Sequence, residues 1–331
     1  TMSKRKYLRR HVFIPFVVFR MFLSLIIFAL LAAGVYTAYK HFSGYDPAGL
    51  NTNKLFVYFS NKIFNFVPKK EDDQPPASQQ TEIQNQQDIK QVPRSVYFKF
   101  ILVADSHNDN ENLAKALKQA GKDVKFALGL GDYTEVGTDQ ELMEVKKKFD
   151  AAGLQYFVTV GDHDLWDSRD KGKNPADNFI KFFGPTFQSF SYGKVRFIMI
   201  DNSDNYKGLG DGQINWLRQE LERIKNEKTS FILVMMHEPL YHPSASRIMG
   251  KTNPSLKDQA RVVMKMLKDA NINAIFAGDT HYFTEYNDFE TNILMYTIGA
   301  ITSERNAQTP RFARVTIFSD GSLEVEDVEV K

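Results

Sequence analysis

Histidine and aspartate gather behind the apolar runs of this chain. Asp105-Ser106-His107 follows the run at 96–104, Gly131-Asp132 follows 124–130, and Gly161-Asp162-His163-Asp164 follows 156–160. His237-Glu238-Pro239 closes the run at 231–236, and Gly278-Asp279-Thr280-His281 follows 274–277. Four of the 7 histidines stand in these motifs; the others are His11, His41 and His242. One histidine behind a strand is ordinarily a satisfied structural residue. Four of them with aspartates at five strand ends point to a shared ion site, with a structural ion network as the competing reading. The chain has no cysteine, which excludes disulfides and thiolate zinc sites. Any metal is then held by imidazole and carboxylate, a donor set that suits Mn, Fe, Zn or Mg. The donors exceed the needs of one ion and suit two ions sharing a carboxylate. Such a pair clamps a phosphoryl group and generates a hydroxide nucleophile.

These motifs need a frame that brings them together. Apolar runs at 96–104, 124–130, 156–160, 195–200, 231–236, 274–277 and 293–298 predict strands, and amphipathic spacing predicts helices over 112–120, 140–151, 214–224 and 256–270. Segments 312–318 and 323–328, split by Asp320-Gly321, predict a closing hairpin. Strand–helix alternation gives an α/β fold, and the late strands make the sheet mixed. In open α/β sheets the carboxyl ends of strands form the binding crevice, so five strand ends can aim their polar groups at one place. Glycine before Asp132, Asp162 and Asp279 permits a tight turn and close approach to a ligand. Loops at 167–177 and 242–254 are expected over that crevice, with Arg169, Lys171, Lys173, Arg247 and Lys251 available for phosphate or, equally, as solvated charge.

The order of motifs resembles the calcineurin-like metallophosphoesterases, a family that includes purple acid phosphatases and many phosphodiesterases. Its pattern runs Asp-x-His, Gly-Asp, Gly-Asn-His-Asp/Glu, a lone His, and Gly-His-x-His. The resemblance covers 96–328, and Phe183-Gly184-Pro185, Tyr192-Gly193 and Gln213-Ile214-Asn215-Trp216-Leu217 are similar to the purple acid phosphatase branch. It implies a double β-sandwich of two mixed sheets flanked by helices. It implies that Asp105, His107 and His281 hold one metal, that Asp132 bridges, and that Asp162, His237 and Asp279 hold the second. His163 would protonate the leaving oxygen or stabilise the transition state, with Asp164 orienting it. The chain departs from the pattern at two positions, carrying Asp162 where the family has Asn and Asp279 where it has His. The added negative charge favours Mn or Mg over Zn, with Mn first, and weakens attraction for an anionic phosphate. The resemblance implies hydrolysis of a phosphomonoester or phosphodiester; the alternative is a non-catalytic, metal-stabilised binding domain with a degenerate second site.

Charge is unevenly distributed. Residues 1–94 hold 13 Lys/Arg and 6 Asp/Glu, which leaves 29 and 34 for the rest of the chain. An acidic folded region is the reverse of a general nucleic-acid binder, and no nucleic-acid partner is expected. Residues 1–11 read as a basic cytoplasmic tail and 12–39 as a transmembrane helix, since 21–39 carries no charge and can cross a hydrocarbon core as a helix. The positive-inside rule then predicts a single-pass cell-membrane protein whose catalytic domain lies outside the cytoplasm. A cleaved signal peptide is the competing reading. Residues 40–94 read as a juxtamembrane segment and flexible linker. Leu55, Phe56, Phe59, Ile63 and Phe66 recur there at helical spacing, and a Pro- and Gln-rich stretch follows. Residues 95–331 form the expected catalytic domain.

Overall fold

The computed structural model describes residues 94–227 and 231–331. The expected tail, membrane helix and linker therefore lie outside the described residues. Among the described residues, no helix is long and apolar enough to cross a membrane.

Along the chain the first half runs β1 (Val96–Val103), α1 (Asn110–Gln119), β2 (Val124–Gly129), α2 (Asp139–Ala151), β3 (Gln155–Val158), a 3₁₀ turn at His163–Leu165, α3 (Trp166–Asp170) and α4 (Asp177–Phe183). The second half runs β4 (Gln188–Tyr192), β5 (Val195–Met199), α5 (Asp211–Glu227), β6 (Phe231–Met236), α6 (Leu256–Asp269), β7 (Ala274–Ala277), β8 (Thr284–Asn287), β9 (Leu294–Thr297), β10 (Arg311–Phe318) and β11 (Leu323–Glu329).

Period-two alternation divides β1 between two cores. Phe98, Phe100 and Leu102 face one way, Ile101 and Val103 the other, and all five are buried. The same division in every central strand makes four layers. One sheet has the order β11-β10-β1-β2-β3 and the other β4-β5-β6-β7-β9-β8. The strands that end at the candidate motifs are parallel within each sheet. Between the sheets lies an aromatic core: Phe100 stacks on Phe126 with ring centroids 5.4 Å apart, and Phe126 meets Phe197 edge-on at 5.3 Å. Each such pair adds about 0.5–1.5 kcal/mol beyond its burial, and the Phe126–Phe197 pair joins the two sheets face to face. That fixes the strand ends relative to one another. On the outer faces, α1, α2 and α4 pack on the first sheet through Leu113, Val145 and Phe179, while α5 and α6 pack on the second through Leu217 and Val263. A capping box starts α2: Thr138 Oγ1 accepts from Glu141 N at 3.2 Å, and Glu141 Oε2 accepts from Thr138 N at 2.9 Å.

The expected α/β fold with mixed strands is present, as two stacked sheets flanked by helices. Four helices and strands were not expected from the sequence: β4, β8, α3 and α4. The two strands are short antiparallel edges with mostly half-buried or exposed side chains, so they show no apolar run. The expected loop at 167–177 is in part helical, because α3 occupies Trp166–Asp170.

Candidate metal centre

Backbone geometry marks the site before side chains are considered. Asp105, His107 and Asp132 have φ of 55°, 40° and 54°, and Asp279 and His281 have 62° and 63°. Nine described non-glycine residues have positive φ, and five of them are these candidate ligands. Left-handed backbone costs a non-glycine residue on the order of 1–3 kcal/mol and clusters at functional sites. The turns hold because the loops beyond β1 and β2 go on pairing: Asp105 N donates to Gly131 O, His107 N to Asp132 O and Asn108 N to Tyr133 O, each at 3.0 Å. Gly161 is required by space. A Cβ there would lie 2.1 Å from Asp132 Oδ1.

The ligand atoms of Asp105, His107 and His281 lie within 4.8 Å of one another, as do those of Asp105, Asp132 and His237, and those of His107, Asp132 and His163. Asp132 stands between two imidazoles. Its Oδ2 is 3.6 Å from His107 Nε2 and its Oδ1 is 3.3 Å from His237 Nε2. His237 Nδ1 donates to Leu130 O at 2.8 Å, and His281 Nδ1 donates to Arg305 O at 3.1 Å. Both rings therefore turn Nε2 inward. His237 Nε2 is buried and has no partner of hydrogen-bonding geometry, although the Asp162 carboxylate is also 3.5 Å away. His107 Nε2 and His281 Nε2 approach to 3.3 Å. Two lone pairs this close repel unless a proton or cation lies between them.

Electrostatics point the same way. Burial raises the Asp105 carboxyl to about 7 and the Asp132 carboxyl to about 8, and it lowers His107 to about 2 and His281 to about 4. Burial also disfavours the His237 imidazolium, but the Asp132 carboxylate and its neighbours outweigh it and push that ring well above the usual range. Burial would raise Asp162, yet His237 holds it down at about 2. The cluster calls for positive charge at its centre. Its donors, an orphaned imidazole nitrogen among carboxylate oxygens, fit divalent cations.

The structure brings Asp105, His107, Asp132, His237 and His281 together in compact groups. Asp162 joins through His237, and its Oδ2 accepts from Asn205 Nδ2 at 2.8 Å. Asp279 is placed differently. Its N–H donates to both Asp105 oxygens at 3.1 Å, its carbonyl accepts from Arg247 Nη1 at 2.9 Å, and its carboxylate lies 4.0 Å from that guanidinium. Neither Asp162 nor Asp279 enters the compact donor groups found among the described residues.

His163 lines the same cleft. Its Nδ1 donates to Glu135 O at 2.8 Å, and its ring stacks on Trp166 at 3.8 Å, which leaves Nε2 as the free edge. The orienting role expected of Asp164 is corrected here. The Asp164 carboxylate is fully buried and accepts from Tyr133 N, Thr134 N, Thr134 Oγ1 and Gly161 N at 2.7–3.1 Å. It ties the β2 and β3 loops together, while Glu135 and Trp166 set the His163 ring.

The cleft has a volume of about 250 Å³. Arg247 and Lys251 line it as expected, joined by Glu238 of the His237-Glu238-Pro239 motif and by Arg305 and Asn205, which the motifs did not suggest. Arg169 and Lys171 do not line it: Arg169 packs over Tyr206 and Lys171 pairs with Asp167. His242 is a loop-stabilising residue whose Nδ1 accepts from Ser244 N and Ala245 N. A signal for Asn205 was present, since Asp201-Asn202-Ser203-Asp204-Asn205 is a sixth polar run behind a strand, β5. Arg305 and Glu135 had none; they pair with each other across the mouth of the site.

A family model described as calcineurin-like phosphoesterase matches residues 98–283. A probable purple acid phosphatase 20 of Arabidopsis thaliana is 22% identical over 147 residues, 41% of this chain and 34% of that protein. Purple acid phosphatase 23 of the same plant is 23% identical over 143 residues, 43% of this chain and 27% of that protein. The matched regions thus span about a third or less of those relatives. A dimetal phosphatase from Danio rerio shares the fold with a TM-score of 0.53 at 16% identity, over 72% of this chain and 100% of that one. A purple acid phosphatase from yellow lupin seeds does so with a TM-score of 0.54 at 14% identity, over 71% and 52%.

Proposed function

The chain belongs to the calcineurin-like phosphoesterase family, and on that footing we propose that it hydrolyses a phosphomonoester or phosphodiester at a centre of two divalent cations. The observation that carries this reading is Asp132, whose two carboxylate oxygens face two different imidazoles, His107 and His237. Asp105, His107 and His281 would hold one cation with Asp132, and His237 and Asp162 the other, with Asp279 contributing from its edge. Two such ions polarise a phosphoryl group and lower the pKa of a bound water.

The protein's own residues supply the rest. With Nδ1 committed to Glu135 O, His163 can pass a proton only at Nε2, in the cleft that His107 and Asp132 also line. That is where the leaving oxygen of a clamped ester would stand. Arg247, Lys251 and Arg305 on the cleft wall offer cationic partners for phosphate oxygens. The test is turnover of nitrophenyl phosphodiester and monoester substrates by the full chain, stripped of metal and reloaded with Mn, Fe, Zn or Mg. Metal-dependent hydrolysis is expected, strongest with Mn, and no turnover with any of the four would overturn the reading.

A second reading is favoured by one observation, the absence of Asp162 and Asp279 from the compact donor groups among the described residues. In that reading a single cation stabilises a binding domain, and metal analysis gives one ion per chain with no hydrolysis. On the strength of residues 12–39 we place the protein at a membrane, with its amino terminus cytoplasmic and this domain outside. Protease protection of the domain in intact cells would refute that orientation.

A further inference from the structure

The second half of the centre contains a carboxylate that neither the family pattern nor the ligand set above uses. Glu238 directly follows His237 at the carboxyl end of β6. It is only 5% exposed, yet it lines the same cleft as Asp162 and Asp279. Its backbone is fixed on both sides: Glu238 N donates to Asn202 Oδ1 at 3.1 Å, and Glu238 O accepts from Asn202 Nδ2 at 2.6 Å. Asn202 Oδ1 also takes the N–H of His237 at 3.2 Å. One buried amide thus clamps the two residues as a unit, and the Glu238 carboxylate takes no part in the clamp.

That carboxylate has no hydrogen bond or ion pair among the described residues. Arg247, which lines the same cleft, gives its Nη1 to the Asp279 carbonyl. Asp162 and Asp279 line the cleft beside Glu238. Three carboxylates thus share one wall, and a cation in that space would offset their repulsion. The orphaned Nε2 of His237, the adjoining residue, lies 3.5 Å from Asp162 Oδ1 on the same side of the cleft. From this juxtaposition we infer that Glu238 is a ligand of the second cation, in a site of one imidazole nitrogen and otherwise carboxylate oxygens. The inference rests on the two-cation reading above. An oxygen-rich site of this kind suits a hard ion such as Mn or Mg, and it accounts for a nitrogen donor at 279 being dispensable.

The competing state is a neutral, protonated Glu238 with no ligand role. Glu238→Gln separates the two, since glutamine copies the neutral acid in shape and cannot copy the anion. The experiment titrates Mn into the metal-stripped full chain, reading stoichiometry by calorimetry and the spin coupling of a Mn pair by electron paramagnetic resonance. The wild type is expected to bind two ions and show the coupled signal. Outer partners of metal ligands already cost 10–100-fold in affinity when removed. In Glu238→Gln the second ion should therefore weaken by about 100-fold or more, the first should be unchanged, and the coupled signal should give way to that of isolated Mn. Two ions of wild-type affinity in the variant would overturn the role of Glu238 and leave the two-cation reading standing. One ion or none in the wild type would overturn both. Should Glu238→Gln fail to fold, Glu238→Asp keeps the charge and shortens its reach; it should hold the second ion more weakly than wild type, and equal affinity would again remove the inference.

Discussion

The two halves of the centre are built on different principles. Asp105, His107 and His281 all sit in left-handed backbone, held by hydrogen bonds between neighbouring strand-end loops, and their ligand atoms already converge. Around His237 the main chain is held by the Asn202 clamp, and of its wall carboxylates Asp279 alone is left-handed. Asp162 has an ordinary φ of −69°, and the wall is made of carboxylates: Asp162, Asp279 and Glu238. The first half positions donors by main-chain geometry, with two imidazoles and a carboxylate. The second gathers charge around one imidazole. A centre of this kind should hold one cation by shape and the other by electrostatics, so the two should respond differently to substitution.

The largest effect is expected where the halves meet. Asp132→Asn removes the one carboxylate facing both imidazoles, and metal analysis should show neither ion retained, with turnover at background. Retention of one ion would show the halves to be independent. Next comes His163, which belongs to neither half as a required ligand. His163→Ala should keep both metals and slow hydrolysis by about 10²–10⁴-fold, the range for a lost general acid; metal content and single-turnover rate measured together check this. Asp164→Ala tests the scaffold beneath the first half. It orphans buried donors on Tyr133, Thr134 and Gly161, each costing about 1–3 kcal/mol, so denaturant unfolding should show a loss of about 3 kcal/mol or more. A full-stability variant with impaired catalysis would return Asp164 to the orienting role. The smallest effect is expected from Asp162→Asn combined with Asp279→His, which should shift the Zn-to-Mn affinity ratio by about tenfold toward Zn. An unchanged ratio would remove charge as the organising feature of the second half.

Much of the centre was legible because its chemistry lies in strand-end motifs, and strand ends converge in any parallel sheet. Asp105, His107, Asp132, His237 and His281 could be read from residue type and position alone. Asp164 could not. It adjoins His163 in sequence, but the 3₁₀ turn at His163–Leu165 advances about a third of a turn per residue and throws the two side chains apart. Glu238 was visible within its motif, yet its burial beside Asp279 depends on how β6 and β7 align. Arg305 reaches the mouth from a loop 170 residues beyond its partner Glu135, a distance no local pattern spans. The edge strands β4 and β8 were missed for a plainer reason: Gln188-Ser189-Phe190-Ser191-Tyr192 and Thr284-Glu285-Tyr286-Asn287 do not form apolar runs.

The left-handed turns also set which mutations the centre can survive. Apart from glycine, the residues that tolerate such backbone best are asparagine, aspartate and histidine, and β-branched side chains there are strained. At 105, 107, 132, 279 and 281 the main chain therefore admits a small alphabet, and nearly every letter in it can ligate a metal. Drift at these positions exchanges one donor for another more readily than it deletes one. Asp279, at a position where the resemblance calls for histidine, fits such an exchange: its left-handed backbone suits either residue.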